Sequence, residues 1–224
     1  MVDHLRERLR HVRWIGGGSG GAKSTVARAL AARFGVEVFS TDDAMTRHAR
    51  RLTPASAPLL HAFTAMSMDE RWVARTPAEM LQTFHWFAGE GFDLVVEDLL
   101  GLPPAPAVVV EGFRLLPRLV APLLSRPDHA VWLLPTRDFR VRAFAARGST
   151  TDIAARTSDP GRALANLLER DARFTDRLAG ETGEAGWVVD GSTSLDDLVT
   201  RVVSRFGFGA APAPRTTPGP GWSS

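Results

Sequence analysis

Residues 16–25 read Gly-Gly-Gly-Ser-Gly-Gly-Ala-Lys-Ser-Thr. A glycine run that closes on Lys-Ser suits phosphate chemistry. Without Cβ atoms, successive backbone N–H groups can turn inward onto phosphate oxygens. A helix beginning there adds its positive end, the Lys ammonium reaches the β- and γ-phosphates, and the Ser hydroxyl can ligate Mg²⁺. With Gly17 in first place the run fits G-x-x-x-x-G-K-[ST], except that Ala22 replaces the last glycine. If the backbone at residue 22 needs a positive φ, that Cβ costs about 1–2 kcal/mol. If residue 22 is already helical, Ala is nearly free. The expected phosphate-contacting residues are Gly17, Gly18, Ser19, Gly20, Gly21, Ala22, Lys23, Ser24 and Thr25, with Lys23 also catalytic and Ser24 on the metal.

Two other readings of this run stay open. Gly16, Gly18 and Gly21 also make G-x-G-x-x-G, a dinucleotide-binding fingerprint, with Glu37 or Asp42 at a plausible distance for a ribose contact. That reading gives no reason for Lys23-Ser24-Thr25. A flexible glycine linker would need neither a strand before it nor a helix after it. The basic residues add weight to the first reading. Of 27 Lys and Arg residues 26 are Arg, and the single Lys is Lys23. A lysine kept in such a chain marks a place where a compact point charge is needed rather than a planar fork.

Acids are the next candidates. Asp42 and Asp43 follow the apolar Val36–Phe39 segment, where an acid can accept a hydroxyl proton or hold Mg²⁺ through water. Asp42 is favoured as the base by its place in Ser-Thr-Asp, and both are candidate substrate contacts. Glu111 ends the apolar run Ala107–Val110, and a carboxylate there asks for a cation, Mg²⁺ or substrate. Gly112 permits close approach of a ligand, and Arg114 could meet a substrate anion. The histidines show no metal-ligand spacing, and cysteine is absent, so disulfides, thiolate zinc sites and thiol catalysis are excluded.

These residues need a scaffold. Strands are expected at His11–Gly16, Val36–Phe39, Ala107–Val110, Ala130–Leu134 and Trp187–Asp190. Helices are expected at Ser24–Phe34, from Pro77 toward Leu100 with breaks at Gly89 and Gly91, at Leu115–Leu124, Asp138–Arg147, Arg162–Ala179 and Leu195–Phe206. Residues 44–75 read as mixed short helical pieces and 148–161 as a loop. Short, wholly apolar strands alternating with helices indicate a five-stranded parallel sheet covered on both faces. The expected organisation is one α/β domain over residues 1–206, lid and substrate-binding insertions included, and a disordered Pro/Gly-rich tail over 207–224.

The chain has 224 residues and a net charge of +2. Its isoelectric point of 10.2 reflects the absence of Tyr and Cys and the presence of a single Lys rather than a basic surface, so nucleic acid is not the expected partner. The charged N-terminus lacks the apolar core of a signal peptide, and no stretch would make a good membrane span. A cytoplasmic protein without a membrane partner is expected; the sequence is compatible with a homodimer.

Taken together, Gly-Gly-Ser-Gly-Gly-Ala-Lys-Ser-Thr, Val-Phe-Ser-Thr-Asp-Asp and Val-Val-Val-Glu-Gly-Phe-Arg resemble the corresponding segments of P-loop kinases of the nucleoside, nucleotide and small-metabolite group. The likeness spans about residues 10–206 and points to a bacterial branch. It implies a P-loop NTPase fold with a helical lid, ATP and Mg²⁺ as cofactors, and a small-molecule phosphoryl acceptor: a nucleoside, a nucleotide or a phosphorylated or carboxylated metabolite. It implies catalytic lid arginines among Arg137, Arg140, Arg142, Arg147, Arg170, Arg173 and Arg177, with Arg140 and Arg147 on the transferring phosphate and Arg173 on the nucleotide. Arg47 and Arg71 fall in the substrate-binding insertion, beside Arg114. The GTPase N-K-x-D element cannot exist, because the only Lys and only Asn are Lys23 and Asn166. A non-catalytic nucleotide sensor, a polynucleotide kinase and a dinucleotide-binding protein remain alternatives.

Overall fold

The computed structural model describes residues 2–147 and 149–208, with the side chains of residues 147, 149 and 150 outside that description. The tail expected from Gly207 therefore lies, from residue 209 on, outside the described residues.

Helix α1 (Val2–Arg8) leads to β1 (Val12–Gly17), the glycine run and α2 (Lys23–Phe34). Gly35 ends α2 in the left-handed region, its N–H donating to the Ala31 carbonyl at 2.9 Å, the usual glycine stop. Strand β2 (Glu37–Ser40) passes directly into α3 (Thr41–Arg51), where Ser40 Oγ caps the helix by accepting from the Asp43 N–H at 3.2 Å. Five short helices follow: α4 (Pro58–Ala65), α5 (Met68–Trp72), α6 (Pro77–Thr83), α7 (His85–Ala88) and α8 (Phe92–Gly101). Reciprocal capping boxes, Ser67 with Glu70 and Thr76 with Glu79, start α5 and α6. The rest is β3 (Val108–Glu111), α9 (Pro117–Val120), β4 (Ala130–Pro135), α10 (Arg137–Arg147), α11 (Ser149–Ala154), α12 (Pro160–Thr182), β5 (Gly186–Val189) and α13 (Leu195–Phe206).

The five strands form one all-parallel sheet in the order β2-β3-β1-β4-β5. Alternate residues of each strand go to opposite faces. Trp14, Val108, Val110 and Trp132 pack with α8, α9 and α12 on one face. Ile15, Val109, Val131 and Leu133 pack with α2 and α13 on the other. Each such side chain, fully withdrawn from water, contributes about 1.5–3 kcal/mol before entropy is charged against it. Trp132 satisfies its indole N–H on the Leu115 carbonyl at 2.7 Å. Among the described residues, no helix is long and apolar enough to cross a membrane.

The loop expected over 148–161 is corrected by α11. Its Ser, Thr and Asp residues stand in a helical first turn, and Ala154 is buried against Ala163 and Leu167 of α12. The helix expected over Leu115–Leu124 is cut to α9 and a 3₁₀ turn at Ala121–Leu123, each with a proline in its first turn. The long helix expected from Pro77 breaks at Phe84 as well as at the two glycines.

The strand order decides what meets what. β3, not β2, lies beside β1, and register places Ile15 and Ser40 on either side of Glu111. In the dinucleotide-binding order 3-2-1-4-5-6, β2 is the neighbour of β1. Here the carboxyl ends of β1, β2 and β3 converge, bringing the glycine run, Asp42 and Glu111 to one edge.

Candidate active site

The glycine run is pressed into its shape by the strand and helix beneath it. Gly17 has φ +126°, and a Cβ there would lie 2.1 Å from the Leu133 carbonyl oxygen; a Cβ on Gly18 would lie 2.3 Å from Thr175 Oγ1. The Gly18 N–H donates to the Leu133 carbonyl at 3.0 Å. The Gly18 carbonyl in turn accepts from the Gly21 N–H at 3.2 Å and from Lys23 Nζ at 2.9 Å. Arg140, 1% exposed, holds the loop from below, donating to the Ser19 carbonyl at 3.3 Å and to Thr175 Oγ1.

Ala22 adopts φ 62°, ψ 13°, and is the one described non-glycine residue with positive φ. The Cβ is therefore the strained case, costing about 1–2 kcal/mol. The first helical hydrogen bond of α2 runs from the Val26 N–H to the Ala22 carbonyl at 3.0 Å. The N–H groups of Lys23, Ser24 and Thr25 stand ahead of it at the positive end of the helix.

Two carboxylates face this loop. Ser24 Oγ donates to Glu111 Oε1 at 3.0 Å, while Glu111 Oε2 is buried without a hydrogen-bond partner. Burial raises the Glu111 carboxyl above the usual range; the Lys23 charge opposes the shift and Asp42 adds to it. Burial likewise raises Asp42, against Lys23, the Thr41 hydroxyl and Arg114. Gly112, at φ +145°, lets β3 approach α3: a Cβ would lie 1.8 Å from Thr41 Oγ1 and 3.0 Å from Asp42 Oδ1.

A cavity of ≈ 320 Å³ is lined by residues 19–24, Asp42, Met45, Phe113, Phe144, Ile153, Leu167, Arg170 and Asp171. A second of ≈ 320 Å³ is lined by Ser24, Arg28, Val38, Ser40, Asp42, Asp43 and Glu111. Ser24 and Asp42 line both, so they stand at the junction. Asp43 faces only the second. Gly17, Gly18 and Thr25 line neither and belong to the supporting backbone. Among the described residues, no three His, Cys, Asp or Glu side chains group as a metal site. Ser24 and Glu111 are the adjacent residues that could hold a cation.

The arginines are distributed differently from expectation. Arg114, 2% exposed, donates to the Thr41 carbonyl at 3.3 Å, to His48 Nδ1 at 2.9 Å and to the Gly91 carbonyl at 3.0 Å. It lies 4.1 Å over the Trp86 ring. Because Arg114 can only donate, His48 Nδ1 accepts and its Nε2–H donates to Asp98 at 2.8 Å. Burial lowers the Arg114 guanidinium to about 10, so it stays cationic at neutral pH. Arg47 pairs with Asp98 at the surface, and Arg71 donates to the Phe63 and Thr64 carbonyls at 2.9 and 2.7 Å. Arg173 is exposed and pairs with Glu169 at 2.8 Å. None of Arg47, Arg71, Arg114, Arg140 or Arg173 lines the cavity. The Arg147 side chain lies outside the described residues. Asp171, absent from the sequence expectations, is brought in by α12; one acid on a long charged helix carries no signal of its own.

No protein-family profile matches this chain, and no curated protein is significantly similar to it.

Proposed function

We propose that the protein transfers the γ-phosphoryl group of ATP to a small-molecule hydroxyl, with Mg²⁺, on a P-loop kinase-like fold. The observation that carries the reading is the meeting of Lys23, Ser24, Glu111 and Asp42 around one edge of the parallel sheet. The residue order along the chain and the placement of β3 beside β1 favour a phosphate loop over the dinucleotide fingerprint.

In this reading the backbone of residues 19–24 and the Lys23 ammonium hold the β- and γ-phosphates. Ser24 Oγ and Glu111 would hold Mg²⁺; the buried, unpartnered Glu111 Oε2 fits a cation. The ion would neutralise phosphate charge. Asp42 takes the acceptor's hydroxyl proton. The acceptor oxygen forms a bond to the γ-phosphorus, the bond from that phosphorus to the β–γ bridging oxygen breaks, and ADP leaves with the electron pair. Positioning and charge neutralisation supply the rate.

The Asp42 base has a distinct pH signature. Its carboxyl is raised in the fold, so the native state binds the proton more tightly than the unfolded chain does. Its contribution to stability is therefore greatest at low pH and falls as pH rises from the unfolded value through the folded one. Turnover has the opposite slope and is lost as pH falls through the folded value. Asp42→Asn should keep ATP binding, lower turnover about 10²–10⁴-fold and abolish that acidic limb. The assay is a metabolite-library screen for ATP-dependent phosphorylation with Asp42→Asn alongside. A variant that turns over at the wild-type rate contradicts the assignment, and Asp43 is then next in line.

The left-handed Ala22 favours a second reading, a nucleotide-binding sensor whose loop is weakened. It calls for ATP binding without phosphorylation of any acceptor.

A further inference from the structure

The charges around the cavity lined by residues 19–24 bear on its second ligand, a point that rests on the phosphotransferase reading. Among the described residues, the charged side chains lining it are Lys23, Asp42, Arg170 and Asp171. Lys23 belongs to the loop and Asp42 to the proton transfer, which leaves Arg170 and Asp171. These neutralise each other: Arg170 Nε and Nη2 donate to Asp171 Oδ1 at 2.8 and 2.7 Å. The third guanidinium nitrogen, Nη1, is buried without a partner. The guanidinium packs against three rings, at 5.2 Å from Trp72, 4.7 Å from Phe84 and 5.2 Å from Phe87. Arg170 thus has no open fork for a phosphate or carboxylate. Arg47, Arg71 and Arg114, the other candidates for an anion, are spent on carboxylates, carbonyls and His48. Beyond the loop the cavity offers the Asp42 carboxylate, the mutually neutralised Arg170–Asp171 pair and an apolar wall.

We infer that the acceptor is an uncharged, hydroxyl-bearing molecule with an apolar face, rather than a phosphorylated or carboxylated one. Its hydroxyls donate to Asp42 and Asp171, and its apolar face lies against Phe113 and Leu167. An anion would meet the Asp42 carboxylate, with the Arg170 charge already offset by Asp171.

The test uses the whole chain with Mg·ATP and matched acceptor pairs: nucleosides against their monophosphates, and hexoses against hexose phosphates. ATP binding is first measured by calorimetry. The expected result is acceptor-dependent ADP release with uncharged members, at a kcat/KM about 10²-fold above their phosphorylated partners, the scale of a like-charge clash. Asp171→Asn should raise KM for the uncharged acceptor more than it lowers kcat, and leave ATP affinity within a few-fold. ATP binding with preference for the phosphorylated members overturns this inference alone, whereas ATP binding with turnover of neither set favours the sensor reading and overturns both. Absence of ATP binding overturns the phosphotransferase reading beneath it.

Discussion

The glycine loop and the helical insertion from α3 to α8 place their functional-looking residues by different means. In the loop, roles follow from neighbours close in sequence. Lys23 folds back on the Gly18 carbonyl, five residues away, and Ser24 opens the same helix. In the insertion, backbone carbonyls are met by arginines from distant parts of the chain. Arg114 reaches the Gly91 carbonyl, and Arg177 donates to the Phe87 carbonyl at 2.7 Å. The loop presents its polar groups to a cavity, whereas the insertion's carbonyls are taken up by arginines that reach it from elsewhere in the chain. An arginine can serve as a cross-brace or as a ligand contact, and only the carbonyls it meets decide which.

The largest effect that would sharpen this contrast is at Lys23. Lys23→Ala should lower turnover about 10³-fold, the scale of losing a preorganised charge on the transferring group, and Lys23→Arg should not restore it. Full activity in either variant, measured by ADP release, would put the loop in the same class as the insertion.

The next effect is structural. Gly112→Ala places a Cβ 1.8 Å from Thr41 Oγ1 at φ +145°. Overpacking and backbone strain together should destabilise the fold by about 2–4 kcal/mol. Denaturant unfolding checks this, and an unchanged midpoint would show that β3 does not press on α3 as described.

How much of this could be read in advance differs by region. The loop, Asp42 and Glu111 were legible because each sits at or just beyond the end of a short strand. The last helix, Leu195–Phe206, was legible to the residue because Ser194 caps it and Gly207 stops it. Helix α11 was not legible, since its Ser, Thr and Asp residues serve a loop or a first turn equally well. The placement of Arg140 under Ser19 was not legible either, because the two are 121 residues apart. The strain at Ala22 could be posed as a question from the pattern, but only the backbone answers it.

Ala22→Gly should stabilise the protein by about 1 kcal/mol, by relieving the left-handed strain, and should tighten ATP binding several-fold. Thermal unfolding and calorimetry read the two effects. A loss of stability would mean that the loop pays nothing for its Cβ. The smallest effect belongs to the insertion. Arg47→Ala removes an exposed ion pair with Asp98, and should cost no more than about 1 kcal/mol and leave KM for both substrates within threefold. A tenfold rise in KM would return Arg47 to the substrate site.

Residues 19–24 hold the nucleotide phosphates in this account. This is tested most directly by calorimetric titration of the whole chain with Mg·ATP, with NADH as the competing ligand. The expected result is a single saturable ATP site that weakens without Mg²⁺ and is lost in Lys23→Ala, with no heat from NADH. Binding of NADH, or ATP affinity untouched in Lys23→Ala, would contradict it.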